Sequence, residues 1–548
     1  MFAFTSNYHL TLSIAISVAN AFVLCFCCYK LLHVFQLSGY QARNFSSWVF
    51  SRRSKFYIRL FALSFLSFGS MLIVSVLFED FVEIISLSYL GLIFYFYLTL
   101  VFINNTQREP VKVSLKFTAR IKRLIAVMWI LLFFVSLTVM WVGVEFIPHV
   151  RFSLIAFIPM LLPVLILVCH FILLPLESII KLNYLNMAKR KLKNPEYQSL
   201  IRIGITGSWG KTSTKNILAA MLREKYQVVA SPASFNTPTG FSKTINNVLT
   251  DGDEVLIMEM GARYINDIKY LSSLFKPHHA IITGIGVQHL ETFKTIENIK
   301  RTKSDLIRAL PAGGIAVLNG DNEKCREAFN ESILVNKFIS TVNKTDGGDG
   351  SADNIKMTNN GAEFTLLLRG QRPVKCKTKL LGIHNIQNIL MCAIMANKLG
   401  ITPEQISGAI EKLEPTPHRL ELVKTPKGVL ILDDSYNASV TGTKAALDVL
   451  ALFRGKKIVM TPGLVELGAK EEEENFKFGA RLADAANAVI IVGETNKTDI
   501  ANGLLSRGFA EKNIFYAGNI EDAKNIYTRM LKPGDVLLIE NDLPDNYS

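Results

Sequence analysis

The sequence predicts a multi-pass α-helical membrane region followed by α/β structure: a central parallel-sheet domain of the P-loop ATPase type, then a C-terminal, Rossmann-like doubly wound domain. Three observations predict it. Apolar residues crowd into the first 180 positions in runs of roughly 20, the length a helix needs to cross the hydrocarbon layer. From Ile201 onward, short β-branched runs alternate with amphipathic helical segments, the pattern of parallel α/β sheets. A glycine-rich loop carrying Lys211 joins the first of those runs to a helix. At 548 residues and a mean hydropathy of +0.27, the chain is too long for one ordinary core and too apolar to be wholly water-soluble.

The membrane region, residues 1–181, contains five expected spans: Leu10–Tyr29, Leu60–Phe78, Phe81–Ile103, Leu124–Val144 and Phe152–Leu174. The first lacks a basic stretch ahead of it and exceeds the roughly 7–15 residues of a signal-peptide core, so it reads as a retained anchor. Cations sit in alternate loops. One loop carries Arg43, Arg52, Arg53, Lys55 and Arg59, and another carries Arg108, Lys112, Lys116, Arg120, Lys122 and Arg123. The basic linker 182–198, with Lys181 just before it, adds Lys189, Arg190, Lys191 and Lys193. The intervening side holds Glu79, Asp80, Glu83 and Glu145 against Arg151 alone. Basic loops stay cytoplasmic, so the expectation is an N-terminus outside and everything after Lys181 inside.

The same count excludes one function class. Residues 1–200 hold 18 Lys/Arg against 7 Asp/Glu, so 11 of the 14 net positive charges belong to the membrane portion and its flanks. Nucleic-acid binding would place that excess on the soluble part, so no nucleic-acid partner is expected; the lipid bilayer is. Seven cysteines, three of them clustered as Cys25, Cys27 and Cys28, show neither disulfide nor metal spacing.

The soluble part divides into residues 199–414 and 415–548. The first block has expected strands Ile201–Thr206, Glu254–Met258, His279–Thr283 and Ile315–Leu318, then a Gly- and Asp-rich segment, Asn343–Asp353, read as a loop. The second starts near Pro415, Thr416 and Pro417 and has expected strands Val429–Leu432, Lys457–Met460, Val489–Val492, Ile514–Tyr516 and Val536–Ile539.

Between the first strand and an expected helix Thr214–Arg223 lies Thr206-Gly207-Ser208-Trp209-Gly210-Lys211-Thr212-Ser213. Glycines let backbone N–H groups approach phosphates, the helix N-terminus favours anions, Lys211 reaches the outer phosphates and the Thr212 hydroxyl can ligate Mg²⁺. The residues of this loop, Thr206, Gly207, Ser208, Gly210, Lys211, Thr212 and Ser213, are therefore the candidate ATP cradle. A strict P-loop would have glycine at Ile205; a glycine-rich turn without ligand is the plain alternative.

The loop without that first glycine resembles that of the Mur ligases, and further stretches agree in order. Ser234-Phe235-Asn236-Thr237-Pro238-Thr239-Gly240 resembles their Asn-rich acceptor loop, and Glu259-Met260-Gly261 their magnesium-holding Glu-x-Gly. His289-Leu290-Glu291-Thr292-Phe293 resembles His-Leu-Glu-x-Phe, and Lys300-Arg301-Thr302-Lys303 their Ala-Lys-x-Glu helix. His384-Asn385-Ile386-Gln387-Asn388, Arg419, and Asp433-Asp434-Ser435-Tyr436-Asn437 complete the series, the last most similar to the member that adds D-alanyl-D-alanine. The resemblance covers roughly 199–548. It implies an ATP-dependent, ADP-forming ligase of cell-envelope synthesis using ATP and Mg²⁺, at the bacterial inner (cytoplasmic) membrane here, with an amino acid or other amine as donor. The implied roles are phosphate binding by Lys211 and Arg419; metal ligation by Thr212, Glu259, His289 and Lys303; and nucleotide contact by Asn385, Asn388, Asp434 and Tyr436. His289 is alternatively readable as structural, and Tyr436 and Asn437 as core. Lys303 is readable as pairing with Asp305 or Glu291, as reaching solvent, or as the carbamate its counterparts carry in several family members.

The departures are specific. Five spans stand in place of the domain that grips the UDP end of the substrate, which points to a lipid-linked or membrane-associated carboxylate acceptor. Ser439-Val440 replaces Asn-Pro, Thr461–Gly468 replaces Gly-Asp-Met-x-Glu-Leu-Gly, Asn475 stands for a His, and Glu540–Asp545 replaces a Lys-Gly-Ser loop. The rival readings are an ATP-driven transporter or sensor and a non-catalytic nucleotide-binding module; few ionisable groups (Glu83, His170, Glu177) in the spans weigh against a translocation path.

Overall fold

The computed structural model describes residues 2–50, 56–77, 86–107, 114–146, 151–343, 347–436 and 438–541. They form two compact units that divide after Ile180.

The described parts of all five apolar runs are helical in the first unit. Its long helices are Phe2–Cys27, Phe56–Leu77, Ser86–Gln107, Ala119–Phe146 and Ile158–Lys191. Among the described residues, three stretches are long and apolar enough to cross a membrane: Phe56–Ile73, Ala119–Val142 and Ser153–Lys191. Thr11–Cys27 and Tyr29–Leu37, bent by 45° at their junction, make a fourth if counted as one crossing. Among the described residues, three or four of the five expected spans are thus met on length and composition. Ser86–Gln107, the helix of the remaining expected span, is 22 residues long and carries no charged side chain. The expected positions Arg52, Arg53, Lys55, Glu79, Asp80, Glu83, Arg108 and Lys112 lie outside the described residues.

These helices carry apolar side chains outward as well as inward: Leu66, Ile93, Phe134, Trp141 and Phe171 are all exposed while Leu24, Leu132 and Ile166 are buried. Helices apolar all round belong in lipid or in a large core. Inside, the Asn20 amide donates to Ser136 Oγ (2.9 Å) and its oxygen accepts from the Tyr95 hydroxyl (2.7 Å), a closed polar cluster joining three helices. Asn20→Ala strands two buried partners and is expected to lower stability by about 0.5–2 kcal/mol, read by thermal unfolding in detergent. At one helix end Glu177 is taken by Arg123 (2.7 Å), with Arg120 4.0 Å away, which accounts for one of the few acidic groups in the spans.

The second unit contains two sheets. The first has nine strands: β1 (Ile201–Thr206), β2 (Val228–Ala230), β3 (Val255–Glu259), β4 (His279–Ile282), β5 (Ile315–Asn319), β6 (Lys337–Asn343), β7 (Gly350–Thr358), β8 (Gly361–Leu368) and β9 (Val374–Thr378). Their order is β2-β3-β1-β4-β5-β6-β7-β8-β9, parallel up to β7 and antiparallel beyond it. The four expected strands are β1, β3, β4 and β5, each within a residue of its expected bounds. The segment Asn343–Asp353 is not a plain loop: β6 runs into it and β7 begins at Gly350. In β7 burial alternates from Asp353 on, with polar residues such as Lys356 and Thr358 outward, a half-exposed strand whose apolar content is too low to stand out in sequence. The helix Ile383–Lys398 packs Ile386, Leu390 and Met391 against the parallel part.

The second sheet has β10 (Glu421–Lys424), β11 (Leu430–Asp434), β12 (Lys457–Thr461), β13 (Ala488–Val492), β14 (Ile514–Ala517) and β15 (Val536–Glu540), ordered β10-β11-β15-β12-β13-β14. All five expected strands are present; β10, a short antiparallel edge, adds a sixth. Asp434, Thr461 and Glu540 stand at the carboxyl ends of the three central strands, where open α/β sheets hold their ligands.

Candidate active site

Two glycines of the loop after β1 are imposed by space. A Cβ on Gly207 would lie 1.9 Å from Thr283 Oγ1, and Gly210, at φ +74°, would press one to 3.0 Å of Asn388 Oδ1. The helix then starts at Lys211 and runs to Leu222. The Lys211 ammonium curls back onto the Gly207 carbonyl (2.7 Å). Burial lowers its pKa below the ordinary lysine range, Glu259 opposes that and Arg419 adds to it. A free anionic phosphate is the natural counter-charge for such a group.

Glu259 ends β3 and is 2% exposed, yet its carboxylate is fully partnered. Oε2 accepts from the Thr212 hydroxyl (2.8 Å), Oε1 accepts from the Asn236 amide (3.1 Å), and the Lys215 ammonium lies 3.8 Å from Oε2. Lys215, itself 2% exposed, also donates to the carbonyls of Ser231 (2.7 Å) and Ala233. A hydroxyl and a carboxylate in contact at the head of a P-loop helix fit magnesium, which takes one or two protein oxygens and completes its shell with phosphates and water. Among the described residues no group of three or more His, Cys, Asp or Glu side chains is placed to hold a metal.

The C-terminal domain contributes to the same hollow. Arg419, half-buried and lowered from the usual guanidinium range by desolvation, stacks 4.2 Å over the Tyr436 ring, with Asp434 opposing the shift. Burial raises the Asp434 carboxyl to about 6 against the pull of Arg419, and it accepts the Leu420 N–H (3.1 Å). Tyr436 meets Ser234 of the central domain through their hydroxyls. Ser208, Gly210, Lys211, Thr212, Ser213, Glu259, Asn388, Arg419 and Asp434 line one hollow together.

The other expected residues fall elsewhere. Thr206, fully buried, spends its hydroxyl on the Met260 carbonyl (2.9 Å), and Asn385 spends its amide on the Leu381 carbonyl (2.8 Å) and lines an adjacent hollow with Asn216 and Thr416. His289 caps a short helix at φ 51° with Nδ1 against Glu466, outside the lining of the main hollow. Asn437 lies outside the described residues. Lys303 is buried on the helix Ile296–Arg308, and desolvation, reinforced by Lys211, puts its pKa well below the ordinary lysine range. The expected pairing with Asp305 is not made: that carboxylate takes Arg308 (2.9 Å) instead, and among the described residues Lys303 has no ion pair.

Three contributors went unassigned in sequence. Lys215 follows Lys211 by one helical turn, a spacing that could have flagged it. Trp209 packs its indole across Gly284 and Gly286, where a Cβ would come within 2.6 Å. His384 lines the hollow with Nδ1 buried and unbonded, and burial lowers its pKa to about 4, so the ring is neutral at physiological pH.

An arrangement of this kind grips the outer phosphates of a nucleoside triphosphate between two domains, which places the chain in the class of P-loop enzymes that activate a substrate with ATP. Sequence comparison narrows the class. The Mur ligase middle domain profile matches residues 205–396, and the Mur ligase glutamate ligase domain profile matches 418–540. The chain is 30% identical over 315 residues to the UDP-N-acetylmuramoyl-tripeptide–D-alanyl-D-alanine ligase of Escherichia coli K12, covering 57% of this chain and 68% of the relative. It is likewise 30% identical over 345 residues to the enzyme of that name from Bacillus subtilis 168, covering 62% and 72%. MurF from Thermotoga maritima, solved in complex with ADP, superposes with a TM-score of 0.59 at 27% identity over 66% of this chain and 80% of that one. The chain belongs to the Mur ligase family. It is an ATP-dependent, ADP-forming amide ligase that uses ATP and Mg²⁺.

Proposed function

We propose that the chain is a membrane-bound Mur ligase of peptidoglycan or related envelope synthesis that joins an acceptor carboxylate, activated as an acyl phosphate, to an amino acid or other amine. The observation that carries the chemistry is the convergence of Lys211, Thr212 and Glu259 from one domain with Arg419 from the other on a single hollow. An acceptor carboxylate oxygen attacks the γ-phosphorus, the bond to the β-phosphate oxygen breaks and ADP leaves. The amine then attacks the acyl carbon, inorganic phosphate departs and the amine loses a proton. Bound magnesium supplies charge neutralisation at the phosphates, with Thr212 and Glu259 as its holders and His289 and Lys303 as candidates for a second site. Lys211 and Arg419 stabilise the negative charge that spreads over phosphoryl oxygens, and Asn388 and Asp434 orient the nucleotide.

The membrane reading rests on the outward apolar faces of the first unit and the alternation of basic loops. Counting the bent pair as one crossing and adding the uncharged helix Ser86–Gln107 gives five crossings, an N-terminus outside and cytoplasmic catalytic domains at the bacterial inner membrane. A lipid-linked or otherwise membrane-associated acceptor is the reading that accords with the apolar helices of the first unit. Full-length protein in detergent is expected to release ADP in the presence of an amine and an envelope lipid extract, and at least tenfold more slowly when a soluble UDP-linked peptide replaces the extract. Equal or faster turnover with the soluble acceptor would overturn the lipid-linked assignment.

A further inference from the structure

Glu466 belongs to the loop after β12 in the C-terminal domain, yet both of its carboxylate oxygens face the central domain. Oε2 meets Nδ1 of His289, and Oε1 lies 3.7 Å from Nη2 of Arg263. Thr292 ties those two partners to each other, its hydroxyl donating to the carbonyls of Arg263 and His289 (3.0 Å to the latter). His289 (φ 51°) and Glu466 (φ 63°) both hold left-handed backbone that side-chain-bearing residues rarely adopt, so each is aimed at the other by its own chain. The Nε2 atom of His289 has no hydrogen-bond partner among the described residues.

A carboxylate on one imidazole nitrogen keeps the proton there, fixes the ring plane and turns the lone pair of the other nitrogen outward. That is how proteins back a histidine that holds a cation. We propose that Glu466 is the positioning residue for His289, supplied across the domain boundary, so that His289 is set to hold a divalent cation only when the C-terminal domain is docked. The proposal rests on the reading of His289 as a cation ligand. Glu466 contributes in two ways of the same sign: it orients the ring, and its negative charge attracts the cation.

The test is direct Mn²⁺ binding to the full-length protein in detergent with a non-hydrolysable ATP analogue, read by electron paramagnetic resonance of free Mn²⁺. His289→Ala is expected to remove one Mn²⁺ site. Glu466→Gln should weaken that same site by about tenfold or more while the site at Thr212 and Glu259 is unchanged, and Glu466→Asp should fall between Glu466→Gln and the parent. If His289→Ala keeps the parent's stoichiometry and affinities, the cation reading of His289 falls and the proposal with it. If His289→Ala loses a site but Glu466→Gln binds within twofold of the parent, the positioning role alone is wrong. Should Glu466→Gln fail to fold, Glu466→Asp decides, since shortening the side chain withdraws the carboxylate from Nδ1; unchanged affinity there overturns the proposal.

Discussion

Replacing Lys211 with alanine is expected to slow ADP release by about a thousandfold or more, the scale seen when a fixed cation or donor is withdrawn from phosphoryl transfer. Among the described residues its ammonium is bound only to the Gly207 carbonyl, and it shares the hollow with Arg419, so the loss falls on the transition state and leaves the core intact. Glu259 needs a gentler substitution. Lys215 is buried 3.8 Å from its carboxylate, and deleting one member of a buried pair is commonly worth about 3–5 kcal/mol. Glu259→Ala would mix that destabilisation with lost chemistry, whereas Glu259→Gln keeps an acceptor for the Thr212 hydroxyl and removes the metal-holding charge. Glu259→Gln still withdraws the counter-charge of Lys215 but leaves no cavity, so it is expected to melt below the parent yet fold, while turnover of the folded protein falls at least a hundredfold. Turnover within threefold of the parent in either Lys211→Ala or Glu259→Gln would exclude the assignment.

Lys303→Ala is the second large effect, expected to reduce turnover about a hundredfold, with partial recovery on adding acetate. The side chain is buried beside Lys211 and the Cys325 thiol, with no carboxylate paired to it among the described residues. Burial and the Lys211 charge both disfavour the ammonium and so favour the neutral amine, the form that adds CO₂. The carbamate so formed is an anion, and facing Lys211 it would be stabilised by the charge that opposes the ammonium. Acetate can occupy the space that the shortened side chain vacates and restore a carboxylate there. Full activity of Lys303→Ala without acetate would rule the role out. Recovery with chloride as large as with acetate would show that the site asks for ionic strength rather than a carboxylate.

The parallel strands β1, β3, β4 and β5 and the five central C-terminal strands were legible because each is a short, nearly continuous apolar run bounded by turn residues, the form a strand takes when both faces are covered. The P-loop was legible for a local reason: residues within ten positions, Gly207 to Thr212, make it, and helix capping and backbone geometry act over that range. β2, β6, β10 and β7 to β9 were not legible. Polar residues interrupt most of them, so no continuous apolar run marks them, even though β7 to β10 each pair with a strand close along the chain.

The site divides in the same way. By itself the sequence determined which chemistry is present, since a phosphate cradle with Lys211 and Thr212 and a strand-end Glu259 need only local geometry to be recognised. Only the tertiary structure decided which groups meet. Thr206 and Asn385 turned out to be spent on backbone carbonyls, Lys215 on Glu259, and Glu466, 177 positions from His289, on that ring. The physical reason is that a hydrogen bond or an ion pair depends on separation in space to within a few tenths of an ångström, while sequence spacing constrains separation only within an element. Burial acts likewise: the same lysine side chain is a solvated cation at a surface and a candidate for carbamylation at Lys303, and nothing but the packing of distant residues around it sets which.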